Sequence, residues 1–379
     1  MVQLPIIPVV ARWIREHPGT LSLGQGIAGY APPAEAWEEM ERLRREPELN
    51  RYQAAEGLPA LVEALRVKLA EVNGIRMGPE RALMVTAGAN AAFQQVILAI
   101  CDPGDEVILP LPYYFNQEMA LGLASVRPVL VPPAAGFLPD VDAIERAITP
   151  RTRAVVTVSP NNPTGAVYPE PVLRAIQELC AKRGIYHISD ETYEAFTYGS
   201  ARHVSPGGFA GSEETTISLF SFSKAYGFAS WRIGYAVYPA GLAESMRKIQ
   251  DTLLICPPVA SQLAAVGCLR AGEGWFRERL AMVEKTRAKV LEHIRAVEDL
   301  AEIGAADGAF YVFLRLRRAM EALEVARRLI AEHRVAVIPG TAFGMGDAAC
   351  LRVAYGALTP ETAEEGVGRL VRGMRGICG

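Results

Sequence analysis

The chain has 379 residues, 50% of them hydrophobic, and a formal net charge of -3 at pH 7. That length supports a large core and two structural units, and the weak net charge without any long basic run argues against nucleic acid or an anionic membrane surface as partner. Six cysteines (Cys101, Cys180, Cys256, Cys268, Cys350, Cys378) are scattered with no CxxC pair and no histidines at zinc-ligand spacing, so they read as reduced, mostly buried thiols and no metal is expected.

Residues 4–10 are apolar but carry two prolines and no basic lead-in, so they are not read as a signal peptide. No apolar run approaches the ~20 residues of a membrane-spanning helix, and a cytoplasmic location is expected. Residues 1–45 have no sheet pattern of their own. They contain the loop Gly24-Gln25-Gly26-Ile27-Ala28-Gly29-Tyr30, expected to pack with a smaller unit or across a partner subunit.

Residues 46–270 are expected to form a large α/β domain, because short β-branched runs alternate there with helical stretches in the manner of a mainly parallel, doubly wound sheet. Strands are expected at 82–86, 106–110, 154–158, 185–189, 215–220 and 233–237, with helices such as 89–100 and 169–182 between them. From about Pro257 the texture changes to charged amphipathic helix, then a strand at 309–316, a helix near 321–333 and a strand-like run at 335–338. Residues 271–379 therefore read as a smaller α+β domain.

In open α/β sheets ligands bind beyond the carboxyl ends of the strands. Five such ends are polar here: Ala87-Gly88-Ala89-Asn90 opening a helix, Tyr113-Tyr114, Ser159-Pro160-Asn161-Asn162-Pro163-Thr164-Gly165, Asp190-Glu191-Thr192-Tyr193, and Ser221-Phe222-Ser223-Lys224. Singly, each has a plain explanation. Gly-Ala-Asn is a common helix start, the Asn-Asn-Pro-Thr-Gly run is built of turn formers, Asp190 could cap a helix, Tyr114 could be core and Lys224 a solvated amine. Convergence at one edge of one sheet favours a site.

Tyr52-x4-Gly57-x3-Leu61, Asn161-Asn162-Pro163-Thr164-Gly165, Asp190-Glu191-x-Tyr193, Ser221-x-Ser223-Lys224-x7-Arg232-x-Gly234, Pro339-Gly340-x-x-Phe343-Gly344 and Leu351-Arg352 together resemble the signature blocks of class I/II aminotransferases. These belong to the aspartate aminotransferase superfamily, pyridoxal-phosphate (PLP) fold type I. The ordered set spans nearly the whole chain, and its flavour is closest to the subgroup with kynurenine, aromatic and prokaryotic aspartate aminotransferases.

The resemblance implies PLP held as a Schiff base on Lys224, which also moves a proton between substrate and cofactor. It implies Asp190 beside the ring nitrogen, Asn162 and Tyr193 on the phenolic oxygen, and Tyr114 stacked on the ring. Gly88, Ala89, Asn90, Ser221, Ser223 and Arg232 are implied for the phosphate, with Tyr52 reaching in from the neighbouring subunit of a homodimer. Arg352 is implied to grip the substrate α-carboxylate, as a planar, bidentate guanidinium suits. Its plain reading is one arginine among thirty-three on a strand between apolar neighbours.

Ser230 stands where many members have glycine, and no second arginine can be assigned to a substrate side-chain carboxylate. A pocket edged by Ile27, Tyr30, Tyr52 and Tyr114 points to apolar or aromatic amino acids, exchanged with a 2-oxo acid. The same framework serves lyases and decarboxylases, and it is also found in non-catalytic PLP-binding regulators, so these readings stand beside amino transfer.

Overall fold

The computed structural model describes residues 6–346 and 348–379. The start of the apolar run at 4–10, and of the 1–45 segment, lies outside the described residues.

The described strands are β1 (Leu21–Ser22), β2 (Arg81–Thr86), β3 (Glu106–Pro110), β4 (Arg127–Val131), β5 (Thr152–Val158), β6 (Tyr186–Asp190), β7 (Thr216–Ser221), β8 (Gly234–Pro239), β9 (Ala301–Ile303), β10 (Tyr311–Leu316), β11 (Val335–Ala336), β12 (Ile338–Pro339) and β13 (Cys350–Ala354). The large sheet has the order β2-β8-β7-β6-β5-β3-β4. Every pairing in it is parallel except those of β8, which runs against both β2 and β7. Its strands are apolar on both faces: Val107 and Leu109 enter one core and Ile108, between them, the other, as a period of two demands of a sheet covered by helices on both sides. One cover is the helix Ala89–Ile100, whose Ala92, Phe93, Val96 and Ile97 recur at helical spacing and bury against the first core.

Sequence reading misses β4. It carries Pro128 and is half exposed, which suits the edge position it occupies but breaks the apolar pattern used to find strands.

The second sheet, β12-β13-β10-β9, is antiparallel. The single strand expected at 335–338 is divided: β11 pairs with β1, whereas β12 pairs with β13. The N-terminal segment causes the division, because β1 takes the free edge of β11, and Leu23 continues the seam by hydrogen bonds to Ala336 and Ala354. The segment thus packs on the C-terminal sheet. The long helix Val259–Ile294 crosses between the two sheets and is broken at Gly272, whose φ of 74° is non-helical.

Six strands of the large sheet point the same way, so their carboxyl ends share one edge. Reversal of β8 brings its amino end, with Arg232 just before it, to that same edge. The loop after β5 is held there by Gly165, at φ +73°, where a Cβ would strike the Tyr311 carbonyl oxygen and the Ala306 backbone. Gly165→Ala is expected to cost about 2–3 kcal/mol by backbone strain and collision, read as a lower denaturation midpoint with an unchanged slope. An unchanged midpoint would show that the loop is free to adapt.

Candidate active site

Beyond that edge lies a cleft with about 530 Å³ of atom-free space. It is lined by Ala89, Asn90, Tyr114, Val158, Asn162, Asp190, Thr192, Tyr193, Ser221, Ser223, Lys224, Ala229 and Arg232. Most of the residues expected at the strand ends therefore do meet.

Lys224 follows β7 on a single helical turn capped by Ser221, whose hydroxyl accepts the Ser223 amide at 3.1 Å. Its Nζ donates to the Gly26 carbonyl at 2.6 Å. Burial, reinforced by the positive charges of Arg352 and Arg232, lowers the ammonium to about 8, with Asp190 pulling in the opposite direction.

Asp190 ends β6 fully within the protein. Its carboxylate accepts from the Gln117 side chain at 3.1 Å and the Thr192 amide at 3.2 Å, both neutral donors. Burial raises its pKa, and those hydrogen bonds only partly offset the rise.

Arg352 lies on β13, so the C-terminal sheet places a second buried cation behind Asn162, which lines the cleft. Its Nη1 donates to Asn162 Oδ1 and its Nη2 to the Gly24 carbonyl, each at 2.8 Å, while Nε is buried without a partner. With Oδ1 committed to Arg352, Asn162 presents its amide hydrogens to the cleft. Among the described residues no carboxylate pairs with Arg352.

At the opposite end, Gly88 caps the helix Ala89–Ile100 with φ +85°, and a Cβ there would occupy the Arg232 guanidinium's place. The amides of Ala89 and Asn90 at this helix start have no acceptor among the described residues. Arg232 donates to Ser223 Oγ at 3.3 Å and to two backbone carbonyls rather than to a carboxylate. Helix amides, two serine hydroxyls and an unpaired guanidinium make a cradle for a phosphate dianion.

Five expected residues lie apart from the cleft lining: Gly88, Arg352, Tyr52, Ile27 and Tyr30. Tyr52 is 80% exposed and Ile27 is 38% exposed. The Tyr30 hydroxyl donates to the Lys224 and Ala225 carbonyls, 3.1 and 3.0 Å away, so it ties the glycine loop to the lysine turn. Tyr114 lines the cleft with its hydroxyl accepting from Asn116 at 2.7 Å, and burial raises it to about 12.

Sequence reasoning misses Gln117 and Tyr311. Gln117 lies on the helix Phe115–Leu123, one turn past Tyr114, and only its position beside a strand end could have marked it. Tyr311 is hidden in the apolar run of β10.

The model of the family described as aminotransferase class I and II matches residues 18–370. The chain belongs to this family. An aromatic aminotransferase of Arabidopsis thaliana is 36% identical over 382 residues, covering 98% of this chain and 94% of the relative. An aspartate aminotransferase of Pyrococcus abyssi is 32% identical over 94% of this chain and 92% of its own. Among solved structures, an aromatic aminotransferase from Pyrococcus horikoshii superposes with a TM-score of 0.88 at 31% identity, over 97% of this chain and 99% of that one. The protein is a PLP-dependent aminotransferase acting on an amino acid and a 2-oxo acid. No helix among the described residues is long and apolar enough to cross a membrane.

The residues fit the cofactor: Asp190 is buried with neutral donors alone, Arg352 bonds only neutral acceptors among the described residues, and the helix start joins free amides to the Arg232 guanidinium. Because folding raises the Asp190 pKa, its ionised form opposes folding at neutral pH, and that penalty fades as pH falls through the raised value. Asp190→Asn is expected to stabilise the cofactor-free chain at pH 7 by about 1 kcal/mol, roughly 2 °C in Tm, with the gain shrinking in acid. Melting curves showing a loss at pH 7 would contradict the penalty.

Proposed function

We propose that PLP is carried on Lys224 and that the preferred amino donor is an aromatic or other apolar L-amino acid. What carries the reading is that Lys224 and Asp190 line one cleft, with Arg352 hydrogen-bonded to its lining residue Asn162 and no direct ion pair among the three. The chemistry the cofactor supplies when bound is an aldehyde that takes up amines and a ring that accepts the electrons released at Cα.

Each residue has a task that follows from its surroundings. The Lys224 amine, with its pKa lowered to about 8, is deprotonated often enough near neutral pH to act as nucleophile and to carry a proton. Asp190 would favour a proton on the ring nitrogen, which would neutralise its own buried charge. Asn162 and Tyr193 offer donors to the phenolic oxygen. The Ala89 and Asn90 amides, Ser221, Ser223 and Arg232 would hold the phosphate, and Tyr114 would pack on the ring. Arg352 grips the substrate carboxylate and thereby fixes the orientation of the Cα–H bond.

The donor preference is supported by the cleft's charges: the arginine among its lining residues is Arg232, which belongs to the phosphate cradle. Tyr114 offers apolar area within the lining, and Tyr30 of the glycine loop is fastened to the lysine turn. The Arabidopsis relative's aromatic activity points the same way.

A homodimer with shared sites is supported by Tyr52 and Leu253, 80% and 58% exposed, which a second copy would cover. A sedimentation result of a 41.0 kDa monomer would count against it. The domain division at 1–45, 46–270 and 271–379 is supported by the break at Gly272 and the seam of β1 on β11. A cytoplasmic location accords with six free cysteines.

With one 2-oxo acid acceptor held constant, kcat/KM for phenylalanine is expected to exceed that for aspartate by roughly tenfold or more. Equal values would overturn the preference while leaving the cofactor site intact.

A further inference from the structure

Tyr311 has none of the tasks above, yet it touches Tyr193, Arg352 and Gly26. It opens β10 and is fully buried, with its hydroxyl 2.6 Å from that of Tyr193. Its ring lies beneath Arg352, 4.6 Å from guanidinium carbon to ring centroid. Its hydroxyl lies against Gly26, whose carbonyl accepts the Lys224 ammonium.

Counting protons gives this contact a direction. Burial keeps both phenols protonated, so two O–H groups share one oxygen–oxygen contact. One proton lies between the oxygens, and the other needs an acceptor elsewhere or stays unpaired at a cost of about 1–3 kcal/mol. No further acceptor meets the Tyr311 hydroxyl among the described residues. Tyr193 lines the cleft and Tyr311 does not. If Tyr193 donated to Tyr311, the Tyr311 proton would be stranded in the core. If Tyr311 donates, the Tyr193 proton points into the cleft and finds an acceptor when the cleft fills.

We propose that Tyr311 is a positioning residue: it donates to the Tyr193 oxygen and so commits the Tyr193 proton to the cofactor's phenolic oxygen. This rests on reading the cleft as the PLP site. A phenol that accepts one hydrogen bond also donates more strongly, so Tyr311 strengthens the bond it directs. Because its ring underlies Arg352, the residue that orients the Tyr193 proton also supports the substrate's carboxylate clamp.

The visible absorption of bound PLP, titrated with pH, tests this without turnover. A donor to the phenolic oxygen stabilises its anion and lowers the midpoint at which the neighbouring nitrogen takes up a proton. Tyr193→Phe is expected to raise that midpoint by ~1 pH unit, Tyr311→Phe by ~0.3–0.5 unit, and the double variant no further than Tyr193→Phe alone. If Tyr311→Phe melts lower but titrates like the parent, Tyr311 is only structural and the proposal is overturned. If its shift adds in full to that of Tyr193→Phe, the coupling is absent and the proposal is also overturned. A parent chain that gives no titrating band with PLP would overturn the cofactor reading itself, and the proposal with it.

Discussion

Asp190 in the cleft lining and Arg352 behind Asn162, of opposite charge, are buried without touching, and holding them apart is the constraint on which the rest of the site depends. Each would cost several kcal/mol if left bare, so neutral groups meet part of that cost: Gln117 and Thr192 at the carboxylate, Asn162 and the Gly24 carbonyl at the guanidinium. None of these neutralises a charge. The remaining imbalance favours a ligand that brings a cation to Asp190 and an anion to Arg352. Lys224 shares the same field, and burial together with the two arginines lowers its proton affinity.

The architecture keeps the charges apart by assigning them to different units. Asp190 ends a strand of the large sheet, whereas Arg352 sits within β13 of the C-terminal sheet. The glycine loop bridges them: Leu23 extends the C-terminal seam, Gly24 accepts from Arg352, Gly26 from Lys224, and Tyr30 is fastened to the lysine turn. A movement of one sheet against the other would therefore change the distance between Arg352 and Lys224. The break at Gly272, in the helix crossing between the sheets, lies where such a movement would be absorbed.

Much of this was legible in the chain itself. The strands at 106–110 and 154–158 are apolar without interruption because both their faces are covered, and the polar groups after them stand out for that reason. Lys224 was found through its neighbours at other strand ends, not through its own surroundings. What stayed hidden depends on contacts remote in sequence. The reversal of β8 leaves no mark in its apolar pattern, yet it brings Arg232 to the cradle. The pairing of β11 with β1 joins segments some three hundred residues apart. Tyr311 looks like an ordinary strand aromatic until the fold sets its hydroxyl against Tyr193. Tyr30, expected at the substrate pocket, has its hydroxyl committed to backbone carbonyls, a choice that composition does not reveal.

The central claim is that these unpaired groups exist to receive PLP on Lys224. Loading the purified chain with PLP, making the lysine–cofactor link permanent with borohydride and mapping the labelled peptide tests it most directly. The account predicts a single stoichiometric label on the peptide that contains Lys224. A label distributed over the other lysines, or no label at all, would contradict it.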